Sequence, residues 1–149
     1  MLGKTHLAIA LFFGLLVEHM TGIRIGILGT IALFLGALLP DLDEHKSALG
    51  RKAKIIAWLF PHRGVFHSVL FAVFFTILLY GIAPRQGAAL FFLLGYLSHI
   101  FSEAITPRGV RPFFPSTLRL KGPVRVGKTT EHVLFWTLVL VDAYLLIAV

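Results

Sequence analysis

Leu94-Gly95-Tyr96-Leu97-Ser98-His99-Ile100-Phe101-Ser102-Glu103-Ala104-Ile105-Thr106-Pro107-Arg108-Gly109 is the stretch from which the fold is read. It begins as an apolar helix that can sit in lipid, then carries His99 and Glu103 four residues apart. That spacing puts both side chains on one helical face, about 5–6 Å apart at Cβ. An imidazole and a carboxylate so placed can grip one divalent cation. Polar groups at the end of a membrane helix are costly unless they face a partner or a wet cavity. Partners are therefore expected elsewhere in the chain.

The composition is that of a membrane protein. Hydrophobic residues make up 57% of the 149 and charged residues 14%, against roughly 25% charged in soluble domains. Mean hydropathy is +0.86, and the length suits one domain, residues 1–149. In a soluble protein the net charge of +7 would point to nucleic acid. Here its distribution matters more than its sum, and no nucleic-acid partner is expected. The absence of cysteine excludes disulfides and thiolate ligands, so any metal site must use imidazole and oxygen. Lys4 ahead of the apolar run Leu7–Val17 imitates a signal peptide. The following Glu18-His19-Met20-Thr21 lacks a small-x-small cleavage pattern, so the segment reads as a retained helix.

Five apolar segments stand out, at about 5–20, 23–39, 65–83, 88–105 and 131–149. The second, third and fifth approach the ~20 residues that span a bilayer. The apolar centre of the first is shorter, so that segment is expected to be tilted, re-entrant or packed inside the bundle, with Thr5 as its N-cap. Gly22, Gly26, Gly29 and Gly36 in segment two lie close to one stripe, as do Ala88, Gly95 and Ser102 in segment four. Small-residue stripes let helices approach closely in lipid.

If all five cross, the N-terminus and the 40–64 and 106–130 connections share one side. That side carries Lys4, Lys46, Arg51, Lys52, Lys54, Arg63, Arg108, Arg111, Arg119, Lys121, Arg125 and Lys128, and the other only Arg24 and Arg85. Twelve against two places the first side in the cytoplasm. The 40–64 connection continues from Pro40-Asp41-Leu42-Asp43 into a basic, helical stretch, with Pro61 in the first turn of the third helix. In the other connection apolar and basic residues alternate on both sides of Gly122-Pro123, from Thr117 to Lys128. The alternation predicts a short β-hairpin on the cytoplasmic side, beside an interfacial anchor at Pro112–Pro115.

Placed on this topology, the ionisable residues gather at one depth. His6 opens the first helix and Asp41 and Asp43 close the second. His62 and His67 open the third, His99 and Glu103 close the fourth, and Glu131 and His132 open the fifth. Three imidazoles and several carboxylates at helix ends make a metal site the expectation. The ligand candidates are His6, Asp41, His62, His67, His99 and Glu103. His62 and His67 lie about 140° apart on a helix, so both point inward only if it starts near Gly64. Asp43 is a further ligand or a general base, and Arg63 and Arg108 are candidates to neutralise phosphate. Glu131 and His132 read as a helix N-terminus with a dipole-favoured Glu. His45 is a weaker ligand candidate, and His19 and Asp142 read as structural.

These residues resemble a known family, the LexA-regulated, inner-membrane metal-dependent hydrolases of the YdjM-like family. The likeness is carried by Thr5-His6, Leu39-Pro40-Asp41-Leu42-Asp43, His62-Arg63-Gly64-Val65-Phe66-His67-Ser68 and Gly95-Tyr96-Leu97-Ser98-His99, and extends through Glu103, Thr106, Gly109 and Pro115. Glu103 stands where that family usually has Asp, and Phe66 where Thr is common. The resemblance implies a metal-dependent hydrolase of the inner membrane with His6, Asp41, His67 and His99 in its site. A weaker likeness is to zinc-dependent phospholipase C and its nuclease relatives, which also use His-x-x-x-Glu/Asp pairs.

The expectation is thus an all-α membrane protein, a bundle of about five membrane-embedded helices with a short β-hairpin. Its function would be hydrolysis of a lipid-linked (phospho)ester by a metal-activated water, with zinc favoured and manganese also compatible. The alternative is a non-enzymatic, metal-stapled membrane scaffold or partner-binding protein. A metal or proton carrier ranks last, because only Asp142 lies near mid-bilayer. No Gly-x-Ser-x-Gly occurs, which argues against a serine hydrolase.

Overall fold

The computed structural model describes residues 1–44, 58 and 63–148. Among them the chain forms five α-helices: α1 (Gly3–Thr21), α2 (Gly26–Leu38), α3 (Val69–Ile82), α4 (Gln86–Ala104) and α5 (Thr129–Ala148). Two short 3-10 turns, Leu39–Asp43 and Val65–His67, lie between α2 and α3. Three stretches are long and apolar enough to cross a membrane: Gly26–Asp43, Gly87–Ala104 and Thr129–Ala148. The architecture is the expected all-α membrane bundle. Leu70, Phe74 and Ile77 on α3, and Trp136, Leu140 and Tyr144 on α5, are exposed, as helix faces in lipid are.

The bundle is built on α2 against α4. A Cβ at Gly36 would lie 2.1 Å from the Phe92 carbonyl oxygen, and one at Gly95 2.0 Å from that of Leu33. At both positions backbone lies on backbone, so only glycine fits. Gly22 and Gly26, expected in the same packing stripe, do other work. Gly22 closes α1 at φ 72 and Gly26 opens α2 at φ 54, both in the left-handed region that glycine enters without steric cost. The α2–α4 seam is filled by Leu33, Ala37 and Phe91 with Ala10 of α1. A second core, Ala32, Ala72, Phe92, Tyr96, Ile100 and Val110, joins α2, α3 and α4. Helix α1 packs on α2, α4 and α5 and buries Thr5, His6, Ile9, Gly14 and Leu15, so the short first segment is the one packed inside the bundle.

Two local expectations are corrected. Thr5 is not the N-cap of α1; that position is Leu2, without a side-chain cap, and Thr5 is buried one turn inside. The β-hairpin does not form: no strand occurs among the described residues, only an isolated antiparallel bridge between Val110 and Leu120. The backbone groups that a hairpin would pair with each other find partners at the end of α4 instead. Gly122 N–H donates to the Thr106 carbonyl at 3.0 Å and Val124 N–H to that of Ile105 at 2.9 Å. The carbonyls left over where a helix ends need donors, and this segment supplies them. The basic stretch after Glu44, Pro61, His45 and His62 lie outside the described residues.

Candidate metal centre

Pro40, two residues past the end of α2, cannot continue its hydrogen-bond ladder. The chain tightens there into the 3-10 turn Leu39–Asp43. Residues two apart on such a turn point in different directions, so Asp41 and Asp43 serve two separate places. The second contribution comes from the Val65–His67 turn. Tyr96 Oη donates to the Phe66 carbonyl at 2.6 Å, and Ser68 caps α3 by accepting from Phe71 N–H at 3.3 Å. Arg63 enters this turn at φ 65, unusual for a non-glycine residue. The third contribution is α4, whose i, i+4 pair His99 and Glu103 faces inward as the spacing predicts.

One ligand atom each from Asp41, His67, His99 and Glu103 lies within 4.8 Å of the others. His99 Nε2 is 3.3 Å from His67 Nε2 and 3.6 Å from Asp41 Oδ1. His67 Nε2 is 3.2 Å from Glu103 Oε2 and 4.0 Å from Asp41 Oδ1. His67, His99 and Glu103 are fully or almost fully buried, while the Asp41 side chain keeps 15% exposure.

What stands behind the His99 imidazole sets its tautomer. His99 Nδ1 is 2.7 Å from the Ala37 carbonyl, which only accepts, so Nδ1 carries the proton. His67 has a carboxylate oxygen 3.2 Å from each ring nitrogen, Asp43 Oδ2 at Nδ1 and Glu103 Oε2 at Nε2. The His99 Nε2 lone pair therefore points at the centre, and that of His67 joins it when the His67 proton sits on the Asp43 side, as in carboxylate–histidine–metal arrangements. In that state two imidazole lone pairs and two carboxylates face one another, and Glu103 Oε2 is buried without a hydrogen-bond partner. Such a group of acceptors is repulsive unless positive charge lies among them. A proton satisfies two of these atoms at a time; a divalent cation satisfies all four. The N₂O₂ donor set suits zinc and also manganese.

The surroundings hold the arrangement. Arg63 donates to Glu103 Oε1 at 2.6 Å, to the Gly109 carbonyl at 2.7 Å and to Thr106 Oγ1 at 3.3 Å. Burial pulls the Arg63 guanidinium below its ordinary pKa, with the Glu103 carboxylate opposing that shift. The His6 ring stacks on His99 with centroids 4.0 Å apart and 6° between planes. Ser102 Oγ donates to the His99 carbonyl at 2.7 Å and lies 2.6 Å from His6 Nδ1. The four-donor group does not include His6, whose Nε2 is buried without a hydrogen-bond partner.

Of the residues expected from the sequence, the structure therefore brings Asp41, His67, His99 and Glu103 to one point. It places Asp43 behind His67, His6 against His99, and Arg63 on Glu103. Arg108 is exposed, close enough to Arg63 to disfavour its charge. Glu131 accepts from Leu2 N–H at 2.7 Å and Gly127 N–H at 2.5 Å, a clamp between the starts of α1 and α5. His132 and His19 are exposed. Sequence reasoning missed the Ala37 carbonyl and the Ser102 hydroxyl as partners of the imidazoles. Ser102, three residues after His99 and hence on its face, was legible; a backbone acceptor carries no residue signature.

Comparison with known proteins gives the chain its family. Inner membrane protein YdjM of Escherichia coli (strain K12) is 39% identical over 102 residues, covering 62% of this chain and 52% of that protein. The Shigella flexneri YdjM gives the same figures, so the match spans about half the length of these relatives. The uncharacterized protein YvsG of Bacillus subtilis (strain 168) is 30% identical over 115 residues, 73% of this chain and 72% of its own. No solved structure matches. The family model described as YdjM inner membrane protein matches residues 1–149, and the chain belongs to that family.

Proposed function

We propose that this chain is an integral-membrane, metal-dependent hydrolase that acts on a lipid-linked phosphoester at the cytoplasmic face of the inner membrane. One observation carries the reading: four donors from three separate segments converge, and both imidazoles are held with Nε2 toward the centre. Asp41, His67, His99 and Glu103 would hold the ion, zinc by preference. A divalent ion in such a shell supplies Lewis-acid polarisation and makes water acidic near neutral pH. The twelve-to-two distribution of Lys and Arg supports a cytoplasmic N-terminus and site.

The chain's own residues have defined tasks in this reading. Asp43 holds the proton on His67 Nδ1, and the Ala37 carbonyl holds the one on His99 Nδ1. Arg63 fixes Glu103 through Oε1 and leaves Oε2 to the centre. Because Arg63 is engaged there, phosphate charge falls to the exposed Arg108 and to cations after it. Asp41, the least buried of the four donors, forms the edge that a headgroup approaches while its acyl chains stay in lipid.

The second reading is a metal-stapled scaffold. It draws on the burial of three of the four donors and on their number, since four protein ligands close a tetrahedral zinc shell. Purified protein in detergent, loaded with zinc or manganese and offered phospholipid phosphoesters, separates the two. The hydrolase reading expects metal-dependent product release that Asp41→Asn abolishes. A four-coordinate cobalt spectrum that is indifferent to added phosphate, without turnover, supports the scaffold.

A further inference from the structure

Between Ala104 and Glu131 the chain carries Arg108, Arg111, Arg119, Lys121, Arg125 and Lys128, and not one Asp or Glu. Six like charges on one short segment repel one another within a Debye length. The segment is nevertheless pinned in place. Val110 and Leu120 exchange backbone hydrogen bonds of 3.0 and 2.9 Å, and Gly122 and Val124 donate to the Thr106 and Ile105 carbonyls. Two glycines permit this: a Cβ at Gly109 would lie 2.2 Å from the Leu120 oxygen, and one at Gly122 2.5 Å from that of Ile105. The segment therefore sits on the turn that follows Glu103, at the four-donor end of the bundle.

Its outer surface mixes two chemistries. Arg119, Lys121, Arg125 and Lys128 are exposed, and so are Phe113, Leu118, Leu120 and Val126. A nucleic acid would answer the charge but leave those apolar side chains in water. A bilayer surface with anionic phospholipid answers both, taking the apolar residues at the acyl boundary and the cations at the phosphates.

We propose that the 105–128 segment is a docking platform for anionic phospholipid headgroups, which it presents to the neighbouring four-donor group. Only the second half of this statement rests on the hydrolase reading; headgroup selection does not require the metal.

The test uses the full chain reconstituted in phosphatidylcholine vesicles with trace spin-labelled phosphatidylglycerol or spin-labelled phosphatidylcholine. The motionally restricted fraction of each label gives the relative association. The wild type should prefer phosphatidylglycerol, and the preference should shrink with added salt. The triple variant Arg119→Gln, Lys121→Gln, Arg125→Gln should lose it, by up to about fivefold per cation removed. Its metal content should stay at the wild-type level, which shows an intact bundle. Arg24→Gln with Arg85→Gln, at the opposite end, should leave the preference unchanged. A wild type without preference, or a triple variant that keeps it, overturns the proposal. If the triple variant does not fold, Lys121→Gln alone decides by the same criterion. A preserved preference without any hydrolysis would sink the enzymatic reading and leave the platform standing.

Discussion

Asp43 tests the reading of the site most sharply, because it neighbours the centre without belonging to the four-donor group. Its Oδ2 lies 3.2 Å from His67 Nδ1, on the ring nitrogen opposite the one that faces Glu103 and His99. If its role is to fix the His67 tautomer and ring orientation, removing it leaves every donor atom in place. Loss of such a supporting partner costs about 10–100-fold in metal affinity, or about 1.4–2.7 kcal/mol. Asp43→Asn keeps an acceptor oxygen but loses the charge, and charge-assisted bonds are about twice as strong as neutral ones. It should therefore fall near the tenfold end, and Asp43→Ala near the hundredfold end. Asp41→Ala, which deletes a donor, should weaken binding more than either. Competition against a chromogenic zinc chelator in detergent measures all three, and the cobalt-substituted spectrum of Asp43→Asn should keep its wild-type shape. Wild-type affinity in Asp43→Ala would refute the orienting role. So would a cobalt spectrum changed in the same way as that of Asp41→Ala, which would make Asp43 a ligand.

Four further outcomes follow from the geometry. Gly95→Ala forces a Cβ to 2.0 Å from the Leu33 oxygen; it should destabilise the bundle by at least about 1–3 kcal/mol, read as a lower melting temperature in detergent. Glu131→Gln weakens bonds to Leu2 and Gly127 that are worth about 1.5–3 kcal/mol each when charge-assisted. It should lower the melting temperature while zinc stoichiometry stays unchanged. His6→Ala should likewise keep stoichiometric zinc, because His6 stacks on His99 from outside the four-donor group. Zinc at a hundredfold excess over its Kd should stabilise the protein by about 2.7 kcal/mol, and chelation should reverse the shift in a thermal scan.

Much of this was legible in the sequence because lipid leaves little freedom. The five apolar runs became five helices, displaced by only a few residues at their ends. The i, i+4 pair in α4 could point to one side only, so His99 and Glu103 were read correctly as neighbours. Asp41 and His67 followed because a polar residue at a membrane helix end requires a partner. Errors arose where backbone rather than side chains decided the structure. The alternation of Leu120, Lys121, Val124 and Arg125 has strand periodicity, yet the carbonyls just after α4 captured the Gly122 and Val124 amides. Period alone does not report which acceptor wins. Gly22 and Gly26 matched a packing stripe but meet a need for positive φ at the α1–α2 turn. Arg63 was read, with Arg108, as a cation to neutralise phosphate. Its pairing with Glu103 across 40 residues of chain has no local signature.

The most direct measurement is the metal content of the purified chain, wild type against His99→Ala, after expression in metal-replete medium. The wild type should carry close to stoichiometric divalent metal. His99→Ala, folded by its circular dichroism and melting behaviour, should carry little. A wild type without metal, or equal metal in both, would contradict the claim that these helix ends converge to hold a cation.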